Sequence, residues 1–153
     1  MVSPELLRRF AFFSGFSDEE LKQLAMAGRE QAAPAGEILF VEGKPAHSLY
    51  FLTEGTVELL NAGNGNRENI AISSLPAGEL LGWSAVVEPY LYTATARAAR
   101  PSRVIAFANA DLEKLMADDH FASLLLKKVA QVIEQRLNDT RIQLLSLLSE
   151  RTP

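Results

Sequence analysis

Between residues 29 and 107 the chain repeats short apolar runs: Ile38 to Val41, Leu49 to Leu52, Val57 to Leu60, Ile70 to Ser73, Tyr92 to Ala98 and Val104 to Phe107. Turn-forming residues separate them: Pro34-Ala35-Gly36, Gly43-Lys44-Pro45, Glu54-Gly55, Gly63-Asn64-Gly65-Asn66 and Pro76-Ala77-Gly78. Short strands at even spacing with Gly, Pro and Asn punctuation predict an antiparallel roll or double-sheet barrel. Gly63 to Asn66 suits a hairpin tip, where positive φ angles favour Gly and Asn.

The flanks have a helical period instead. Ser3 to Phe10 starts a short helix with Pro4 in its first turn. Phe12, Phe13 and Phe16 cluster around Gly15. Ser17-Asp18-Glu19-Glu20 reads as a capping box, followed by Leu21, Leu24 and Ala25 until Gly28 stops the helix. After Phe107, Asn109 is expected to cap a helix carrying Leu112, Leu115 and Met116. Asp118 or Asp119 opens a longer helix that runs toward Ser149 without Gly or Pro. Its residues Leu126, Ala130, Ile133, Leu137, Thr140, Leu144 and Leu147 alternate four and three apart, a heptad seam with one polar interruption. A second stripe, Leu125, Val129 and Val132, suits packing on the roll. One stripe suffices for a helix folded on its own barrel; two favour a homodimer through this helix.

Composition narrows the chemistry. With 153 residues, 48% hydrophobic and 22% charged, the chain has the size and texture of one globular domain. A net charge of −4 argues against a free-standing nucleic-acid binder. The chain has no cysteine, which excludes disulfides, zinc fingers and cysteine nucleophiles. His47 and His120 are far apart in sequence and share no metal-ligand motif. No apolar run approaches the roughly 20 residues of a membrane span, and Met1 to Glu5 has no signal-peptide pattern. The expectation is a cytosolic protein with no membrane partner, no metal and no catalytic constellation, hence not an enzyme.

Three glycine motifs occur in order: Gly36-Glu37-x-x-Phe40-x-x-Gly43, then Tyr50-Phe51-Leu52-x-x-Gly55-x-Val57, then Gly78-Glu79-Leu80. Together they resemble the effector domain of the catabolite-activator and fumarate–nitrate regulator superfamily, which is a cyclic nucleotide-binding roll. A cupin shares the strand texture but needs clustered His and Glu ligands, which two isolated histidines do not supply. The resemblance implies an α+β, mainly β fold: an antiparallel, jelly-roll-like β-roll over 29–107 with a short cassette helix. N-terminal helices over 1–28 and C-terminal helices over 109–149 complete a single domain, 1–153. The DNA-reading domain of the family's regulators is not expected in this chain, so no nucleic acid partner is expected either.

The resemblance also implies a ligand cassette over residues 78–94. In family members that bind a cyclic nucleotide, a Gly-Glu pair opens the cassette and the Glu accepts from the ribose 2′-hydroxyl; Gly78 and Glu79 match. Leu80 to Ala85 would form the short helix whose N-terminus meets the phosphate, with Gly82 and Ser84 small enough to admit it. The second half normally supplies Arg, a small hydroxyl residue and Ala. Thr93 and Ala94 fit, but Tyr92 occupies the Arg position, and Arg97 points to the opposite face by strand parity. Losing one charge-assisted hydrogen bond of about 1.5–3 kcal/mol weakens binding by roughly one to two decades. Tyr92 has two roles open to it: an aromatic that fills the Arg–phosphate space, or a contact to another effector. Trp83 is a packing residue or a stacking platform.

The ligand-binding candidates are therefore Gly78, Glu79, Leu80, Gly82, Ser84, Tyr92 and Thr93. Two functions compete: a sensor of cAMP, cGMP or another small effector, and a degenerate roll that binds nothing and serves interaction or dimerisation.

Overall fold

The runs between turns pair into two antiparallel sheets, as the punctuation predicts. The structure, a computed structural model, describes residues 1–63 and 69–150. The eight strands are β1 (Gly28–Ala33), β2 (Ile38–Phe40), β3 (Ser48–Glu54), β4 (Thr56–Ala62), β5 (Asn69–Pro76), β6 (Leu80–Leu81), β7 (Thr95–Ala98) and β8 (Ser102–Ala108). One sheet has the order β1-β8-β3-β6 and the other β2-β7-β4-β5. The Gly63 to Asn66 hairpin expectation falls largely on residues 64–68, outside the described residues.

Strand alternation aims Leu49, Phe51, Val57, Leu59, Ile105 and Phe107 into the space between the sheets. Phe51 is at the centre, with the rings of Phe10 and Phe13 edge-on at 4.9 and 4.7 Å. The aromatic cluster at the N-terminus therefore closes one end of the roll. β1 carries no apolar alternation, so its sequence gave no strand signal; it forms because its whole length pairs with β8. Gly28 ends the preceding helix, but with φ −75° it is extended and opens β1 rather than adopting a left-handed cap. Glycine is needed there for close approach: a Cβ would lie 2.8 Å from Ile105 Cγ2.

The helices are α1 (Pro4–Arg8), α2 (Asp18–Ala27), α3 (Asn109–Leu115) and α4 (Asp119–Glu150). α1 is shorter than Ser3 to Phe10, and a 3-10 turn over Ala11–Phe13 follows it. The Ser17 capping box forms: Ser17 Oγ accepts from Glu20 N at 3.1 Å, and Ser17 N donates to Glu20 Oε1 at 2.8 Å. Asn109 does not cap α3. It is the first helical residue, after Ala108, and its amide donates to Ala46 O at 3.1 Å. Asp118 caps α4, accepting from Phe121 N.

α4 attaches to the roll unevenly. Phe121, Leu125 and Val129 are buried, each contributing about 1.5–3 kcal/mol of apolar burial. Val132 and Ile133 are partly buried, and beyond them the attachment becomes polar, with Gln143 Nε2 donating to Ile72 O at 2.9 Å. Leu144, Leu145 and Leu147 at the far end are 54–62% exposed.

Candidate functional site

The cassette opens where β3 meets β6. Leu52 N donates to Glu79 O at 2.9 Å and Gly78 N donates to Leu52 O at 2.7 Å, fixing the Gly-Glu pair against the sheet. The helix expected over Leu80 to Ala85 does not form as such. Leu80 and Leu81 are a two-residue strand, both fully buried, and only Trp83–Val86 coil, as a 3-10 turn. Two adjacent leucines are both accommodated because the strand sends them to opposite faces and both faces are covered. Gly82 then reverses the chain in the left-handed region at φ 73°, ψ 38°, which bars a continuous helix.

Tyr92 precedes β7 rather than belonging to it, since that strand starts at Thr95. Its backbone pairs with the loop after β2: Tyr92 N donates to Lys44 O at 3.0 Å and Gly43 N donates to Tyr92 O at 2.8 Å. The side chain is 6% exposed and stacks on Phe40 with ring centroids 4.1 Å apart. Its hydroxyl donates to Ser48 O at 2.7 Å and accepts from Ser48 N at 3.3 Å. Burial pushes its pKa up to about 12, against the opposing effect of those hydrogen bonds, so the phenol stays neutral. A Cβ at position 82 would lie 3.1 Å from Tyr92 Cε1, so the Gly82 reversal and the ring fit together. The notch left among Phe40, Gly82, Ser84, Tyr92 and Thr93 measures about 20 Å³, room for one water.

A larger cleft of about 250 Å³ opens beside this notch, between the second sheet and α4. Leu59, Ile72, Ile133 and Leu137 give it apolar walls, and Trp83 and Thr93 join it to the notch. Ile133, Leu137 and Thr140, which the heptad assigns to a dimer seam, line this cleft. Arg136 lines both spaces. Its side chain is 15% exposed, its guanidinium donates to Leu80 O, and Glu79 Oε2 is 4.0 Å away. Burial lowers the pKa of Arg136, opposed by the charges of Glu79 and Asp139.

The candidate residues thus divide. Gly82, Ser84, Tyr92 and Thr93 meet at the notch, and Thr93 reaches the cleft. Glu79 approaches it through Arg136. The Leu80 side chain is core, and only its carbonyl faces Arg136. Gly78 serves the backbone turn. Arg97 is directed to Glu58 at 2.8 Å, away from Tyr92. Arg136 is the residue that motif reasoning missed. The stripe Leu125, Val129, Val132 reaches it when extended by four residues, so helix periodicity held the signal.

The sequence profile of the cyclic nucleotide-binding domain family matches residues 30–119. The chain belongs to the cyclic nucleotide-binding domain family. The domain is 34% identical to a solved protein of Geobacter metallireducens named for cyclic nucleotide binding, with a TM-score of 0.80 over 90% of this chain and 99% of that one. It is 25% identical to a protein of Rhodopseudomonas palustris named as a potassium channel, over 89% of this chain and 32% of the channel. It is 24% identical to a CRP-like cAMP-activated global transcriptional regulator of Mycobacterium tuberculosis, over 97% of this chain and 65% of the regulator. The cyclic nucleotide-binding domain thus spans between about a third and two thirds of these two curated relatives. Among the described residues, no helix is long and apolar enough to cross a membrane.

Proposed function

We propose that this cyclic nucleotide-binding domain is a non-enzymatic small-effector sensor whose affinity for cAMP and cGMP is weak, and which pairs with a second copy along α4. The observation that carries the reading is the seating of Tyr92. Its buried ring and doubly bonded hydroxyl occupy the place where the family resemblance puts an arginine for the phosphate. The cleft between roll and α4 supports a sensing role, because a molecule held there touches both elements and favours one packing of the helix over another. Thermal melts with cAMP, cGMP and a metabolite panel test this: at fixed concentration an effector raises the melting temperature more the tighter it binds the folded state. The expected result is a small rise with the cyclic nucleotides and a larger one with another molecule.

A second reading, an interaction module without a ligand, is favoured by one feature, the exposed Leu144, Leu145 and Leu147 at the end of α4. Silence across the whole panel at millimolar concentration supports it over sensing.

A further inference from the structure

We propose that Arg136, on α4, supplies the anion contact of this cleft, and that its effector is a singly charged carboxylate or phosphodiester on a flat apolar body. The inference rests on the sensing reading above and adds the chemistry of the ligand.

Arg136 is the one charged residue lining the cleft among the described residues. A guanidinium carries five N–H donors, and here one of its nitrogens donates to Leu80 O. Glu79 Oε2, at 4.0 Å, is beyond hydrogen-bond distance and belongs to a carboxyl group 41% exposed. No fully buried side-chain nitrogen or oxygen among the described residues lacks a partner, so the Arg136 donors that make no bond are not sealed in the core, and the residue lines both the cleft and the notch. A cation mostly removed from water, with spare donors facing a cavity, suits an anion that it can grip with two of them.

The walls set the rest of the ligand. Leu59, Ile72, Ile133 and Leu137 offer no hydrogen bonds, and Trp83 adds an aromatic side chain to the wall. Thr93 and Thr140 add hydroxyls. One positive charge matches one negative charge. A dianion would leave its second charge desolvated and facing Glu79. The volume of about 250 Å³ suits a body of one or two fused rings with its charged group alongside.

The test uses calorimetry and thermal melts with two matched pairs: indole-3-acetate against its neutral amide, and cAMP against adenosine. The proposal expects at least one anion to bind roughly tenfold or more tighter than its neutral partner. Which pair shows the difference identifies carboxylate or phosphodiester. Arg136→Gln should remove roughly ten- to hundredfold of the anion's affinity and leave the neutral molecule unchanged, with Arg136→Lys between. If Arg136→Gln does not fold, Glu79→Gln decides. Removing a carboxylate that competes for the guanidinium should raise anion affinity a few-fold, roughly, by relief of a like charge. A ligand seated with its ribose hydroxyl on Glu79 would lose affinity instead. Equal binding of anion and neutral partner, an unchanged Arg136→Gln, or weaker binding by Glu79→Gln overturns the anion role while leaving sensing intact. No binding by any of the four at about 10 mM, with no melting shift across the metabolite panel, overturns both.

Discussion

Removing a single oxygen from Tyr92 separates a core residue from a ligand contact. In Tyr92→Phe the ring keeps its stack on Phe40, while Ser48 N–H and C=O lose their partner at 3.3 and 2.7 Å. Leaving buried backbone groups unpaired costs about 1–3 kcal/mol. For a chain of this size each kcal/mol moves the melting temperature by about 2–4 °C, so a fall of roughly 2–12 °C is expected. Tyr92→Arg removes the stack as well and places a guanidinium in a notch of about 20 Å³. An uncompensated buried charge costs about 3–5 kcal/mol, a large part of the roughly 5–15 kcal/mol that holds a domain folded.

Urea denaturation of the three proteins, followed by fluorescence of Trp83 and by circular dichroism, measures both differences. The arginine variant should also be stabilised by millimolar cAMP more than the wild type, because a phosphate would neutralise the charge that destabilises it. Two results would refute the reasoning: a Tyr92→Phe midpoint equal to wild type, or a Tyr92→Arg protein as stable as wild type without ligand. The first would mean that the hydroxyl's bonds to Ser48 do not stabilise the fold, the second that the ring's place is not part of the core.

Gly82→Ala should lose about 1–2 kcal/mol in the same assay, since φ is 73° and the new Cβ meets Tyr92 and Ser48 O at 3.1 and 3.3 Å. His120 Nδ1 lies 2.9 Å from Glu20 Oε2, tying α4 to α2. The hydrogen bond to Glu20 raises the His120 pKa above its ordinary 6.5. Burial acts to raise the Glu20 pKa, but its bonds to His120 and Ser17 together bring it below 4.5. The His120 contribution is therefore complete below its unfolded value and disappears as pH rises through the raised folded value. The Glu20 contribution is present above its unfolded value and disappears as pH falls through the lowered one. His120→Ala should lower the urea midpoint near about pH 6 and leave it unchanged near about pH 9; an equal loss at both would exclude the ion pair. Light scattering on a Leu144→Asp, Leu147→Asp variant should give half the wild-type mass if α4 pairs with a second copy, and an unchanged mass rejects the pairing.

Local chemistry made much of this readable from the sequence. The Ser17–Glu20 capping box is a contact between residues three apart, and Gly36, Gly43, Gly55 and Gly78, all at positive φ, punctuate the strands by backbone preference alone. β1 was not readable because its exposed residues, Arg29, Glu30 and Gln31, carry no alternation, and its partner β8 begins about 70 residues later. The break at Gly82 was hidden for a related reason: Leu80 and Leu81 suit a helix locally, and only their burial against β3 selects a strand. Tyr92 was recognised as a departure from a motif, yet its role depended on Phe40 and Ser48, both distant in sequence. Arg136 belongs to no motif, and its meaning appears when α4 lies along the cleft.

The uneven attachment of α4 explains why a contact at Arg136 would matter to an effector-sensing domain. Burial of Phe121, Leu125 and Val129 sums to about 5–9 kcal/mol, enough to hold the first turns against any weakly bound molecule. Past Ile133 the polar contacts to the roll among the described residues are Arg136 on Leu80 O and Gln143 on Ile72 O, about 0.5–1.5 kcal/mol net for a neutral bond and somewhat more for the charged one. A ligand at a hundred times its dissociation constant contributes about 2.7 kcal/mol. That quantity is comparable with the polar hold and well below the apolar one. An effector competing for the Arg136 donors therefore has the energy to reposition the distal half of α4 while leaving its proximal half docked, and the same distal half carries Leu144 and Leu147, the residues available to a second copy.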